Sequence, residues 1–373
     1  MSASGDRVST VLTIAIPSYN AEHYLDNCLA HFIESNVLDY LEILIVNDGS
    51  TDSTPTIAEA YEREHPQSIR VISKPNAGYG SAINTAIPAA TGRYFKVVDA
   101  DDWVEPDALD HIIDVLSWTD ADLVLSPFYM YNEETSVQQL DSKRFFRQYA
   151  PLETHDFSNL KIHAPISIHE IIFRTDMLQA HPKHIDERMY YVDAEYVLYN
   201  LADVSTFLVC DKPLYVYRYG SETQSVSHAN LMKNVEQHRR AVISCLTYWN
   251  ENLESFDAAH KRCFYRQLSG MVADHYRIFL DFRPSAGLRK AMPAWRTDSE
   301  RLMTDHEKPS LGPLLTLMVH LDFRGLWVFC LINRLRLVAV QRVMTTFRNM
   351  SSVNEGYLDN LLGEQKTASH KRK

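Results

Sequence analysis

An acidic run, Asp99-Ala100-Asp101-Asp102, carries the clearest chemistry in this chain of 373 residues. It directly follows an apolar segment typical of a strand, and alternation along an extended chain points Asp99 and Asp101 to the same side. Two carboxylates about 4 Å apart repel by roughly 4 kcal/mol at an effective dielectric of 20, and an incoming pyrophosphate adds to the repulsion. A divalent cation relieves this conflict, and Mn²⁺ or Mg²⁺ suits such oxygen ligands. The run therefore predicts a metal and diphosphate site.

The acidic run also has a purely structural interpretation. A carboxylate at Asp99 or Asp102 could cap a helix that begins near Glu105-Pro106. Short strings of aspartates are common in proteins, so the run alone leaves both interpretations open. The segments around it are needed to choose between them.

Those segments predict repeating strands and helices. Apolar stretches of strand length alternate with helix-like segments, and polar loops follow the strands. Thr54 and Pro55 supply an N-cap and a first-turn proline. This alternation predicts a mostly parallel α/β sheet flanked by helices, whose ligands bind outside the carboxyl ends of the strands. The strand-like stretches are 11–16, 41–46, 71–73 and 94–98, with shorter pieces at 123–125 and 214–217.

Length and pattern predict two domains, since a domain takes roughly 150 residues. Strand signals stop near residue 230, and helical periodicity dominates beyond it. We expect an α/β domain over residues 1–225 and an α-helical C-terminal domain over 226–373, ending in a short basic tail. The segment 326–347 is apolar on nearly every side, which favours a buried packing helix over one that contacts a membrane surface or a partner.

Composition excludes some partners and compartments. The formal net charge of −11 argues against binding to the phosphate backbone of a nucleic acid. The five cysteines are far apart and form no CxxC pair, so we expect reduced, buried thiols and neither a disulfide framework nor a zinc site. The polar N-terminus has no export signal, which predicts a cytoplasmic protein. No pattern indicates an oligomeric state.

Four segments resemble the family 2 glycosyltransferases, which are inverting enzymes with the GT-A fold of nucleotide-diphospho-sugar transferases. The resemblance is strong over about the first 110 residues. It then thins to islands around Tyr191-Val192-Asp193 and Tyr215-Val216-Tyr217-Arg218. The four segments are Ile16-Pro17-Ser18-Tyr19-Asn20, Val46-Asn47-Asp48-Gly49-Ser50-Thr51-Asp52, Asn76-Ala77-Gly78 with Ala82 and Asn84, and Gly92-Arg93-Tyr94 leading into the acidic run.

This resemblance implies a set of residues for the nucleotide of the donor. Pro17 and Tyr19 would line the base pocket, with Tyr19 able to stack on the nucleobase. Asp48 matches a carboxylate that accepts a hydrogen bond from the base, which fits the imide N–H of uracil and favours a UDP-sugar. The alternative is that Asp48 only shapes the turn Asn47-Asp48-Gly49.

The resemblance also implies roles within the acidic run. Asp101 would bind the cation through the donor pyrophosphate, and Asp99 would lie beside it, toward the ribose or the water shell of the metal. Asp102 is the weaker ligand candidate and could instead cap a helix. Arg218 would offset charge on the departing nucleotide, although a structural ion pair is an equal alternative.

An inverting transfer also needs a base that deprotonates the acceptor hydroxyl. The family usually has a Glu-Asp pair at this point, and the matching place here is Val192-Asp193. We therefore predict Asp193 as the base, with Glu195 as the substitute. His169 could contact the acceptor, but a histidine among apolar neighbours is more often a satisfied core residue.

Together these observations predict a metal-dependent hexosyltransferase. It would move a sugar from a nucleotide-diphosphate donor to a glycan or lipid-linked acceptor in surface polysaccharide biosynthesis. The reaction would take place in the cytoplasm, at the inner face of the cell membrane if the C-terminal helices contact it. The alternatives are a nucleotidyltransferase that makes a nucleotide sugar, and a non-catalytic nucleotide-sugar-binding or scaffold protein. The nucleotidyltransferase is disfavoured because residues 14–22 contain no glycine for a phosphate loop.

Overall fold

A computed structural model describes residues 9–141, 144–162, 164–220, 228–281, 286–302, 311, 313–324 and 330. The strands are β1 (Leu12–Ser18), β2 (Leu41–Asp48), β3 (Ile69–Lys74), β4 (Tyr94–Val97), β5 (Trp103–Val104), β6 (Leu123–Leu125), β7 (Phe128–Asn132), β8 (Val137–Asp141), β9 (Thr154–Asp156), β10 (Ile171–Arg174), β11 (Thr206–Val209) and β12 (Tyr215–Tyr219). The helices are α1 (Leu25–Ile33), α2 (Thr54–Glu64), α3 (Tyr79–Ala89), α4 (Pro106–Trp118), α5 (Thr175–Ala180), α6 (Asp193–Leu201), α7 (His228–Lys233), α8 (Val235–Asn252), α9 (Ala258–Asp281), α10 (Ala286–Leu302) and α11 (Pro313–His320).

The central sheet has eight strands in the order β3-β2-β1-β4-β10-β6-β11-β9. The first four are parallel to one another, and β11 is parallel to β6, whereas β10 and β9 pair antiparallel with their neighbours. Every residue of β1 is buried, as expected for an apolar strand covered by helices on both faces. The predicted GT-A-like α/β fold with a mostly parallel sheet is therefore confirmed.

Parallel pairing brings the ends of the first strands to one edge. The register aligns Ser18 of β1 with Asn47 of β2, and Asn47 with Ser73 of β3. β4 pairs with β1 on the other side and ends two residues before Asp99. The polar residues that follow these strands consequently lie along one carboxyl edge of the sheet.

A second sheet, in the order β5-β12-β7-β8, lies next to the acidic run in sequence and in space. β5 begins directly after Asp102, and β12 pairs with it antiparallel, with Tyr215 opposite Val104. This pairing carries Tyr215 and Arg218 of β12 back to the acidic run. The sequence indicated this strand, but neither its partner nor its position.

One detail that the sequence predicted for helix α2 is wrong. Ser53 and not Thr54 occupies the N-cap of α2, and Pro55 lies in its first turn. The Thr54 hydroxyl instead accepts a hydrogen bond from the backbone N–H of Ala21 at 2.7 Å. A tertiary contact has therefore taken the side chain that the sequence pattern assigned to a cap.

The C-terminal region is helical where the structure describes it, with helices α7 to α11. The chain forms two compact units, one of Met1–His275 with Thr297–Leu311 and one of Tyr276–Arg296 with Gly312–Lys373. The predicted division at residue 225 stays a prediction. The apolar segment 326–347, except Cys330, and the basic tail lie outside the described residues. Among the helices that are described, none is both long enough and apolar enough to cross a bilayer.

All five cysteines are buried and carry free thiols, as predicted. Burial raises the pKa of Cys210 to about 11 and that of Cys263 to about 12. These thiols are therefore protonated and unreactive at neutral pH.

Candidate active site

The acidic run forms a tight turn immediately after β4. The backbone N–H of Asp102 donates to the carbonyl of Asp99 at 3.0 Å. Asp99 and Asp101 are half-buried, and Asp102 is buried. The capping interpretation is wrong, because the N-cap of α4 is Glu105 and no side chain caps this helix. The aspartates are thus held for another purpose.

Asp102 is bound by two groups from β12. Its Oδ2 accepts from the hydroxyl of Tyr215 at 2.5 Å, and its Oδ1 accepts from the backbone N–H of Arg218 at 2.7 Å. Burial, followed by the charges of Asp101 and Asp99, raises the pKa of Asp102 well above its ordinary value. Asp102 therefore anchors the second sheet to the acidic run.

Asp99 accepts a hydrogen bond from the hydroxyl of Tyr79, at the start of α3, over 2.6 Å. Burial and then the charge of Asp101 raise the pKa of Asp99 to about 7, against the lowering effect of the Tyr79 bond. The carboxylate of Asp193 raises it further. Asp193 is therefore close enough for its charge to act on Asp99.

The structure brings His169 to the acidic run, which the sequence did not predict. One ligand atom each from Asp99, Asp102 and His169 lies within 4.8 Å of the others. Two carboxylates and an imidazole form a donor set that suits a divalent cation such as Mn²⁺. Asp101 is not a member of this described group, and its backbone carbonyl accepts from Nε of Arg218 at 2.8 Å.

A buried lysine beneath the site was missed by the sequence analysis. Lys96 of β4 is fully buried, and its Nζ donates to the carbonyls of His169 at 2.9 Å and Ile171 at 3.2 Å. Its ammonium group also lies 5.1 Å from the ring centre of Tyr215. Burial lowers the pKa of Lys96 to about 7, opposed by Glu170 and Asp99. A lysine inside the apolar strand that leads into the acidic run was the available signal.

The predicted donor residues lie at the ends of β1 and β2. Tyr19 follows β1 and is 54% exposed, whereas Pro17 is buried within that strand. Asp48 ends β2, and its carboxylate accepts from Nζ of Lys74 at 2.6 Å and from the backbone N–H groups of Ala77 and Gly78. Asp48 thus holds the loop before α3, a role that the sequence analysis did not foresee.

Arg218 is fixed between two aromatic rings. Its guanidinium carbon lies 5.1 Å from the ring centres of both Tyr24 and Trp103, and its Nη1 lies 3.5 Å from Glu133. With its bond to the Asp101 carbonyl, these contacts make Arg218 a brace for the acidic run. Arg218 therefore forms a structural ion pair, which was the alternative interpretation of this residue. Its positive charge also lies beside the aspartates.

The two base candidates differ in their surroundings. Asp193 is the first residue of α6 and is exposed. Nearby protein atoms desolvate the carboxyl group and raise its pKa, while backbone N–H groups at the helix start oppose the rise. Glu195 is fully buried, and its Oε2 accepts from the backbone N–H of Asp186 at 2.8 Å. Only Asp193 is open to an incoming hydroxyl.

The loop before α6 is held against α3. The side-chain amide of Asn84 donates to the carbonyl of Ile185 at 2.8 Å and accepts from its N–H at 3.1 Å. A Cβ atom on Gly80 would lie 2.3 Å from the carbonyl oxygen of Asp186, so only glycine fits there. Asn84, which the family resemblance included, therefore positions the loop that carries Asp193.

The chain is similar in sequence to known glycosyltransferases. Residues 13–181 match the family described as Glycosyl transferase family 2. Glycosyltransferase GlyA from Streptococcus pneumoniae serotype 4 is 35% identical over 130 residues, which are 35% of this chain and 18% of that protein. Chondroitin synthase from Pasteurella multocida is 40% identical over 100 residues, which are 27% of this chain and 10% of that protein. The chain spans between about a tenth and three fifths of the length of the first curated relatives it matches.

The fold has solved counterparts. S. aureus TarS 1-349, solved in complex with UDP-GlcNAc, superposes with a TM-score of 0.59 at 19% identity, covering 85% of this chain and 89% of that chain. At this identity the similarity establishes the fold. The superposed share of this chain is larger than the segment 13–181 that the family matches.

Proposed function

Because residues 13–181 match the family described as Glycosyl transferase family 2, we propose that the chain is a metal-dependent inverting hexosyltransferase. The observation that carries this proposal is that Asp99 and Asp102 lie together after β4 and that the charge of Asp193, on α6, raises the pKa of Asp99. Two carboxylates of the acidic run suit a cation with a diphosphate, and the third carboxylate is exposed and separately placed. A site that only binds a nucleotide sugar does not need that third group.

We propose a UDP-sugar as the donor. Tyr19 is exposed beside the end of β1 and presents a ring on which a base can stack. Asp48 keeps a carboxylate at the next strand end, and exchange of its hydrogen bond with Lys74 would let it accept from the imide N–H of uracil. Pro17 would support this pocket from within β1. The fold neighbour TarS was solved with UDP-GlcNAc, a donor of this class.

The cation would lie at the acidic run, with Asp101 and Asp99 as the proposed ligands and Asp102 beside them. When bound, Mn²⁺ or Mg²⁺ neutralises charge on the diphosphate as it departs. Arg218 holds the run in place through the Asp101 carbonyl and adds a fixed positive charge next to the departing group.

In the proposed reaction, the Asp193 carboxylate removes the proton from the acceptor hydroxyl. The acceptor oxygen then bonds to the anomeric carbon from the face opposite the leaving group. The bond between that carbon and the donor phosphate oxygen breaks, and its electron pair leaves with the nucleoside diphosphate. The raised pKa of Asp193 strengthens its carboxylate as a base.

The acceptor is proposed to be a glycan or a lipid-linked glycan in polysaccharide biosynthesis. The similarity to chondroitin synthase, a polysaccharide polymerase by its name, supports this class. We also propose a cytoplasmic reaction, with peripheral membrane contact through the C-terminal helices. Five free, buried cysteines fit a reducing compartment.

Turnover by paired variants tests the proposal. With Mn²⁺ and a series of UDP-sugars, the wild-type chain should release UDP, slowly without acceptor and faster with one. Asp193→Asn should lower kcat by about 10²- to 10⁴-fold and leave donor binding unchanged. Asp101→Asn should instead weaken metal-dependent donor binding.

Glu195→Gln is the matched control, because it alters the other carboxylate of the same helix and should cost far less turnover. Full transfer activity in Asp193→Asn would refute the base assignment. Release of pyrophosphate from a sugar phosphate and a nucleoside triphosphate would refute the glycosyltransferase and support a nucleotidyltransferase.

A further inference from the structure

His169 reaches the acidic run because of strand direction. It lies in a short 3₁₀ turn, Ile168–Glu170, directly before β10. β10 pairs antiparallel with β4, with Phe173 opposite Phe95. The beginning of an antiparallel strand lies beside the end of its neighbour, so the residue before β10 meets the aspartates after β4.

The distances between ligand atoms of His169, Asp99 and Asp102 are close to those between atoms that bind one cation. One atom each of His169, Asp99 and Asp102 lies within 4.8 Å of the others. Atoms that share one cation lie roughly 3 to 4.5 Å apart when each bond is about 2.0 to 2.3 Å long. The three atoms therefore lie within, or slightly beyond, the range of separations found around one ion.

The imidazole is held in place from several sides. Its ring stacks on Tyr217 at a centroid distance of 4.5 Å and an interplanar angle of 24°. Tyr215 and Phe128 pack against it at 4.7 Å and 5.1 Å. The buried Lys96 fixes the backbone by donating to the His169 carbonyl. A ring clamped in this way is preorganised as a ligand.

We propose that His169 supplies a nitrogen ligand to the cation at the acidic run. This inference rests on the metal dependence in the proposed function and adds the identity of a ligand from outside the aspartate run. Imidazole suits transition metals better than Mg²⁺, which prefers oxygen. The site should therefore select Mn²⁺ or Co²⁺ over Mg²⁺.

Pulsed electron paramagnetic resonance of Mn²⁺ bound to the full chain, with UDP present, detects a directly bonded nitrogen. The wild type should show ¹⁴N coupling, and His169→Phe, which keeps a ring in the aromatic stack, should lose it. The same variant should bind Mn²⁺ about tenfold or more weakly, with a smaller change for Mg²⁺. His155→Phe is the matched control, since His155 also packs on aromatic rings, those of Tyr149 and Phe207, but lies on β9 at the far edge of the sheet.

The outcomes separate this inference from the proposed function. A chain that transfers sugar with Mn²⁺ but shows no ¹⁴N coupling overturns the role of His169 alone. Coupling that disappears in His169→Phe, from a chain with no transferase activity, supports the ligand and refutes the proposed function. If His169→Phe does not fold, His169→Gln offers an amide oxygen in place of the ring nitrogen, and retained ¹⁴N coupling there would overturn the inference.

Discussion

Glu195 offers a quantitative test of the site through pH-dependent stability. Its carboxyl group is fully buried, and burial raises its pKa from the ordinary 4.5 to about 7. The charge of the Asp186 carboxylate raises the pKa of Glu195 further. The backbone N–H of Asp186, the positive charge of Lys183 and the side chain of Ser244 oppose the rise. The folded protein therefore prefers protonated Glu195, whereas the unfolded chain ionises it above pH 4.5.

The sign and size of the effect follow from this difference. A carboxyl group with a raised folded pKa stabilises the fold fully below its unfolded pKa, and that contribution is lost as the pH rises through about 7. At about 1.4 kcal/mol per pH unit, ionised Glu195 costs about 3 kcal/mol at pH 8. At pH 5 its cost is below about 1 kcal/mol. Glu195→Gln removes this titration and keeps an acceptor oxygen for the Asp186 N–H.

Urea denaturation at pH 5 and pH 8 measures the prediction. The free energy of unfolding of Glu195→Gln minus that of wild type should increase by about 2.5 kcal/mol from pH 5 to pH 8, because only the wild type is destabilised as Glu195 ionises. Glu187→Gln is the control, because Glu187 is exposed on the loop before α6. A relative stability that does not change with pH, or that falls toward pH 8, would refute the assigned burial and protonation of Glu195.

Three further substitutions test how the site is held. Arg218→Lys removes the bond to the Asp101 carbonyl and the planar stack on Tyr24 and Trp103. In steady-state assays kcat should therefore fall about tenfold, and an unchanged kcat would contradict the bracing role. Tyr79→Phe removes the hydrogen bond to one oxygen of Asp99 and should weaken Mn²⁺ binding by about tenfold, as measured by titration calorimetry. An unchanged affinity for Mn²⁺ in this variant would contradict the prediction. Gly80→Ala places a Cβ atom 2.3 Å from a backbone carbonyl and should destabilise the fold by about 1 to 3 kcal/mol, seen as a lower urea midpoint; an unshifted midpoint would mean that the loop before α6 lies elsewhere.

Much of the local structure could be predicted from the residues. Apolar runs of strand length predicted β1 to β4 to within two residues at nearly every end, because buried parallel strands need continuous apolar sequence. The acidic run was correctly located after β4. The family resemblance was confirmed by the match over residues 13–181.

The same local reasoning was wrong or silent where a contact is distant in sequence. Thr54 was predicted to cap α2, but its hydroxyl binds Ala21. Asp102 was considered a cap for α4, but β12 supplies its partners from more than a hundred residues away. Periodicity and turn chemistry describe neighbours along the chain, so they carry no information about these pairs.

The sequence by itself determined the first four strands, the placement of carboxylates after them and the resemblance to the family. The tertiary structure alone decided which side chains lie near the acidic run. It left Asp193 exposed and buried Glu195, although they are two residues apart, because Glu195 binds the loop at Asp186. It also placed His169 and Lys96 against the acidic run, since the antiparallel direction of β10 is set by sheet pairing and not by any local pattern.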